Sequence, residues 1–171
     1  MKKILSLFAI VGLMAFSSCS NNDDDDVDYD TISYVFDVSN VTFDLDGNTA
    51  PIDFDSTIYS GDVVLMYRLN GVVNGRKVWS PIPQSYYYDN GSLHFTYKFN
   101  FTQDDIDLYL EGFELNTVPN SLAVNQTFRV VIVPGDDGLN TQKSANQPDY
   151  SDYYEVIKKY NINDSNVKKL N

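Results

Sequence analysis

Cysteine, histidine and tryptophan each occur once in these 171 residues. A single cysteine excludes an intrachain disulfide and any zinc site built on several thiolates. One histidine, His94, excludes the multi-histidine zinc sites and leaves a Ser-His-Asp triad only one candidate base. His94 shares the polar face of its strand with Ser92, Thr96 and Lys98, a pattern that predicts a solvated or cross-strand residue rather than a catalytic one. The chain has no Gly-x-Ser-x-Gly elbow, no glycine-rich phosphate loop and no dinucleotide fingerprint. Cations are scarce: 12 Lys and Arg stand against 24 Asp and Glu, a net charge of −12. Nucleic-acid binding rests on a basic surface that releases counterions, so a polyanionic partner is excluded. Glutamate is confined to Glu111, Glu114 and Glu155, while most aspartates fall in turns or on strand exteriors, where they favour local hydrogen bonds and solubility.

The lone cysteine has a telling position. Lys2 and Lys3 precede an apolar stretch from Ile4 to Phe16, and Ser17-Ser18 leads into Cys19. That stretch is shorter than the about 20 residues a spanning helix needs. The pattern resembles a bacterial lipoprotein signal, with residues 1–18 removed and Cys19 lipidated at the new N-terminus. The alternative is an ordinary secretory signal cut near a free cysteine. Without residues 1–18, ten cationic side chains face 24 acidic ones, −14 in all. Acyl chains contribute about 0.8 kcal/mol per buried methylene, and two or more hold a protein durably to a membrane.

Residues 19–30 read as the lipidated cysteine and an acidic linker, since Asn21-Asn22 and Asp23, Asp24, Asp25 and Asp26 offer nothing apolar to bury. At roughly 3.5 Å per residue such a linker reaches about 40 Å. The acidic run after the cysteine resembles the export signal of Bacteroidota surface lipoproteins. The body, rich in Tyr and Asp, is similar to small flavobacterial-type lipoproteins, a family with no established activity. The resemblance implies an outer-membrane protein facing the exterior. Asp30-Thr31-Ile32 and Asp55-Ser56-Thr57 resemble the O-glycosylation acceptor triplets of the same bacteria.

From residue 31 to 171 the dominant apolar period is two, which predicts an antiparallel all-β sandwich of about seven to nine strands, immunoglobulin-like in general architecture. Tyr34, Phe36 and Val38 alternate with polar residues, as do Val41, Phe43 and Leu45, and then Leu93 through Phe101. Ile106, Leu108 and Leu110 repeat the pattern. Val63 to Tyr67 and Val130 to Val133 are apolar on both faces and suit central strands. Asn74-Gly75 and Asn90-Gly91 predict type I′ hairpins, and Pro81 and Pro83 predict an edge or crossover. One short C-terminal helix is expected over 149–161. Asp149 or Ser151 would cap it, and Tyr150, Tyr153, Tyr154, Ile157 and Tyr160 would form one aromatic face.

Two candidate sites follow. Trp79, Tyr86 and Tyr88 offer rings on which sugar C–H faces stack, beside Gln84, Asp89 and Asn90 for hydroxyls. A strand filled with residues of high β propensity explains the same run. Thr42, Asp44, Asp46, Gly47, Asn48 and Asp53 overlay an EF-hand calcium loop, although Thr42 replaces the first carboxylate and the flanks read as strands. A β-turn accounts for Asp46-Gly47 equally, and Asp136-Asp137-Gly138 is a second acidic loop. The leading expectation is a non-catalytic surface lipoprotein, an interaction or structural module with an envelope partner. A carbohydrate-binding lipoprotein for nutrient capture or adhesion stands second, and a small carboxylate-based hydrolase third.

Overall fold

A computed structural model of the chain describes residues 33–46, 49–135 and 149–170. The signal, Cys19, Asp23 to Asp26, the triplet at 30–32, Gly47, Asn48 and Asp136-Asp137-Gly138 lie outside the described residues. The fold is an all-β sandwich. Its strands are β1 (Tyr34–Val41), β2 (Ala50–Asp53), β3 (Val63–Val73), β4 (Arg76–Pro81), β5 (Gln84–Tyr87), β6 (Leu93–Phe101), β7 (Asp105–Gly112), β8 (Gln126–Val133) and β9 (Lys168–Leu170). Two short helices join them, α1 (Asn120–Ala123) and α2 (Tyr153–Lys159). Sheet A runs β4-β3-β8-β1-β9, and sheet B runs β2-β7-β6-β5.

The inner faces follow the period-two pattern. Phe36 and Val38, Val64 and Met66, and Phe128, Val130 and Ile132 line sheet A. Phe95, Tyr97, Ile106, Leu108 and Leu110 meet them from sheet B, most of them fully buried. The two runs apolar on both faces become β3 and β8, which pair with each other inside sheet A. Their second face is covered as well. Tyr67, Val131 and Val133 pack outward against Tyr153 and Val156 of α2. The Pro81–Pro83 segment is the crossover between sheets, joining edge strand β4 to edge strand β5.

The two-sheet sandwich agrees with the expected all-β architecture, and the strand order, which the sequence left open, places strands one, three, four, eight and nine in one sheet. One pairing is parallel: β9 runs beside β1, with Phe36 opposite Lys168. Some local expectations need correction. Asn40 turns left-handed (φ 61°) where the register shifts before the last β1 pair, Val41 opposite Gln126, and beyond that pair Phe43 still packs on Tyr97 and Phe128. Asn74-Gly75 has positive φ at both residues, as a type I′ turn requires. At Asn90-Gly91 only the glycine does. Asn90 instead accepts the Ser92 N–H with its side chain, and Gly91 donates to the Tyr88 carbonyl, which makes a longer loop. The C-terminal helix is shorter than 149–161. Asp152 is its cap, accepting from the N–H groups of Tyr154 and Glu155. Within the expected aromatic face Tyr154 is exposed, and Val156 takes the buried place.

Gly112 marks the tightest crossing of sheet B: a Cβ there would lie 2.2 Å from the His94 carbonyl oxygen and 2.7 Å from Phe95 Cα. Backbone cannot yield as a side-chain tip can. Gly112→Ala is expected to cost about 2 kcal/mol or more in urea unfolding. Gly61→Ala, whose Cβ meets only Gly135 Cα at 3.9 Å, is expected to stay within about 0.5 kcal/mol of the parent.

Candidate functional site

The densest polar constellation lies on the outer face of sheet A, and no sequence motif announced it. Arg129 on β8 stands opposite Asp37 on β1 and opposite Tyr67 on β3. Arg129 and Asp37 are only 3% and 2% exposed. The guanidinium donates twice to Asp37, Nε to Oδ1 at 2.6 Å and Nη2 to Oδ2 at 2.9 Å. Nη1 donates to the Tyr153 hydroxyl at 2.6 Å and to Asp164 Oδ2 at 3.0 Å, while Tyr153 itself donates to Asp164 at 2.7 Å. Trp79 covers the guanidinium with its ring centroid 4.4 Å from Cζ, and Tyr153 does so at 5.2 Å. Lys77 adds a second cation 3.6 Å from Asp37. Burial works against the Arg129 charge, but the bonds and charge of Asp37, with Tyr153, hold its guanidinium above the ordinary value. Two cations and two anions thus balance beneath α2. The signal was present in the sequence: an arginine inside a strand apolar on both faces has no route to water and must be paired.

The three proposed sugar-stacking rings do not share a rim. Trp79 lies on the outer face of sheet A, half-buried against Arg129 and Tyr153. Tyr86 faces the sandwich interior, stacked on Phe95 at 4.9 Å, and its hydroxyl accepts from Arg68. Tyr88 is stacked on His94 at 4.2 Å at the edge of sheet B. The alternation that places residues 86 and 88 on one strand face is broken by a register shift between Tyr86 and Tyr87. Of the two places expected of His94, solvated or cross-strand, it does not take the solvated one. It is 8% exposed, beneath Tyr88 and with Nε2 2.9 Å from the Thr117 hydroxyl, because the 113–118 segment folds over that face.

Of the calcium candidates, Asp44 and Asp46 share one turn, Asp53 lies on β2, and Gly47 and Asn48 fall outside the described residues. Asp44 accepts the Asp46 N–H at 3.0 Å, a local turn of the kind aspartate favours. Asp53 belongs to β2 and stands opposite Asp105. Among the described residues no group of three or more His, Cys, Asp or Glu side chains is placed to hold a metal ion. Of the carboxylates a hydrolase would need to converge, Asp37 and Asp164 do meet, around Arg129, but their oxygens are engaged by Arg129 and Tyr153. In the Asp55-Ser56-Thr57 triplet, Asp55 pairs with Lys168, Thr57 donates to Asp104 at 2.6 Å, and Ser56 is exposed.

A second buried guanidinium, Arg68, points into the sandwich. Its partners are neutral: the Gln126 carboxamide oxygen at 2.6 and 2.9 Å, Asn70 at 2.7 Å, the Tyr86 hydroxyl at 2.9 Å and the Tyr97 ring. Beyond it the β3–β4 ribbon leaves the sandwich, because β3 last pairs with β8 at Arg68 and continues to Val73. Val72 and Val73 at its tip are 62% and 59% exposed, beside Arg76. No helix among the described residues is long and apolar enough to cross a membrane.

Burial raises the phenol groups of Tyr67, Tyr97 and Tyr153 well above the ordinary value of 10.0. At Tyr67 the nearby charge of Asp152 adds to burial, and at Tyr153 the bond to Asp164 does. A phenol raised in the folded state favours folding while protonated. Its contribution is complete below the unfolded value and fades as pH rises through the folded one. In absorbance titration near 295 nm, three of the 13 tyrosines should therefore stay silent past pH 11 and ionise only as the chain unfolds. Reversible ionisation of all 13 at ordinary values in folded protein would contradict this packing.

Compared with protein-family models, curated proteins and solved structures, the chain matches none.

Proposed function

We propose that this chain is a non-catalytic surface lipoprotein, anchored through Cys19 and carried outward on Asp23 to Asp26, whose sandwich serves the envelope as an interaction module. The observation that carries the reading is the polarity of sheet A. β1 begins at Tyr34, opposite Ile132, so the linker enters at one end of the sheet. The β3–β4 ribbon projects from the other end, past Arg68 and Phe128. A tether at one end leaves the far end free for a partner, and the apolar tip is placed where a membrane-anchored domain would present it. Apolar side chains ringed by polar ones mark interaction sites more often than scattered surface residues do.

In cells, Cys19→Ala should abolish incorporation of labelled palmitate and release the chain from the membrane fraction. Replacing Asp23 to Asp26 by Asn should keep the label but remove access by protease added to intact cells. A photo-crosslinking residue at Val73 should give a discrete adduct with another envelope protein, lost when Val72 becomes Asp. Persistent lipid label on Cys19→Ala would overturn the anchor, and a tip that yields no adduct would overturn the role of the ribbon.

A further inference from the structure

β3 is flanked on both sides along only part of its length. Its ladder with β4 runs from Val73 opposite Arg76 to Tyr67 opposite Pro81. One more bond follows, from the Ile82 N–H to the Met66 carbonyl at 2.8 Å. Pro83 has no N–H to give, and the chain then enters sheet B, where Gln84 stands opposite Tyr97. On its other side β3 stays paired with β8 from Val63 opposite Val133 onward. Residues 63–66 are therefore edge on one flank and interior on the other.

The direction of the unpaired groups follows from strand geometry. In an antiparallel strand both main-chain groups of a residue point the same way, and successive residues alternate. Met66 points toward the β4 side because its carbonyl receives Ile82. Val64, two residues earlier, does the same. The N–H and C=O of Val64 and the N–H of Met66 have no hydrogen-bond partner among the described residues. Val64 and Met66 are 4% and 2% exposed, so unmatched main-chain groups there are costly. They open into a groove of about 360 Å³. Phe99, Tyr67, Tyr150 and the 81–83 turn help line it, and no lining residue is charged.

We propose that this groove receives an extended segment of a partner protein, added to sheet A as a strand beside residues 63–66. The proposal rests on the reading of the sandwich as an interaction module and names the class of ligand its flank takes. A detergent tail or small apolar molecule would fill the space but leave the Val64 and Met66 groups unmatched. An extended peptide supplies both a ladder and alternating side chains, the two components of strand addition. Four residues of ladder span roughly 13 Å at about 3.4 Å per residue. The uncharged lining calls for apolar residues at the centre of the segment, without proline at the pairing positions. The charge of −14 without residues 1–18 favours basic residues at its ends.

The test uses the mature lipidated protein, ¹⁵N-labelled, in nanodiscs, with the probe acetyl-Lys-Val-Thr-Val-Thr-Val-Lys-amide. Saturable binding should slow amide exchange at Val64 and Met66 by about tenfold or more. N-methylating alternate residues blocks one edge of the peptide. Methylation of one set should abolish binding and of the other preserve it. Ser151→Trp, at an exposed position lining the groove, should abolish binding while leaving the rest of the spectrum in place. The proposal is overturned by no saturable effect at these amides, by equal binding of both methylated forms, or by amides already protected without peptide. Because the assay reads the groove in purified protein, a failure of surface display in cells would be seen separately.

Discussion

Arg129 is the residue on which the outer half of this structure depends. It sits on the central strand of sheet A, where neither face reaches water, and carries a charge that interior surroundings disfavour. The cost is met by geometry: a two-pronged contact with Asp37 across the β8–β1 ladder, two rings over the guanidinium plane and a fourth partner in Asp164. Tyr153 and Asp164 both belong to the C-terminal segment, so satisfying Arg129 requires that segment to lie across the sheet. Lys77 and Tyr154 extend the fastening to β4, since the Tyr154 hydroxyl donates to the Lys77 carbonyl at 2.8 Å. An electrostatic requirement inside one strand thereby places α2, and after it β9 beside β1.

The two layers of the core have different chemistry. Between the sheets the packing is mainly aromatic and aliphatic, with Phe95, Phe128, Ile106 and Leu108 fully buried. Arg68 enters that layer at one end and meets neutral oxygens and a ring rather than a carboxylate. Arg129 is matched by anions on both the sheet and the covering segment. The inner layer therefore rests on shape and apolar area, and the outer layer on a fixed set of hydrogen bonds. Such sets give geometric specificity more than net stability.

Much of the sandwich was legible because strand alternation, proline and Asn-Gly report local physics. Leu93 to Phe101 and Ile106 to Leu110 declared their inner faces directly. The run at Val130 declared a central strand and the run at Val63 a strand covered on both faces, and Pro81 with Pro83 declared the crossover. The rest depended on contacts distant in sequence. Lys168-Lys169-Leu170 carries no strand signature and is a strand only because β1 offers an edge. His94 looked solvated because nothing in its own strand tells that Thr117 and Tyr88 will cover it. Trp79, Tyr86 and Tyr88 looked like one platform by proximity in sequence, but the crossover after Trp79 sends them to different faces. Asp37 and Arg129 lie 92 residues apart, and only their apolar surroundings hinted that each needed the other.

The functional account shares this logic. On the proposed reading, the exposed ribbon and the strand flank at 63–66 are the surfaces the domain offers to partners, while the buried polar cluster holds the fold. The most direct measurement is a double-mutant cycle on Arg129→Met and Asp37→Leu, with urea unfolding and hydrogen exchange of residues 153–170 read together. Each single change should cost about 3–5 kcal/mol by stranding the other charge, and the double variant should recover much of that loss. The single variants should also expose the C-terminal segment to exchange. Additive losses, with that segment still protected, would contradict the claim that this ion pair fastens it to the sandwich.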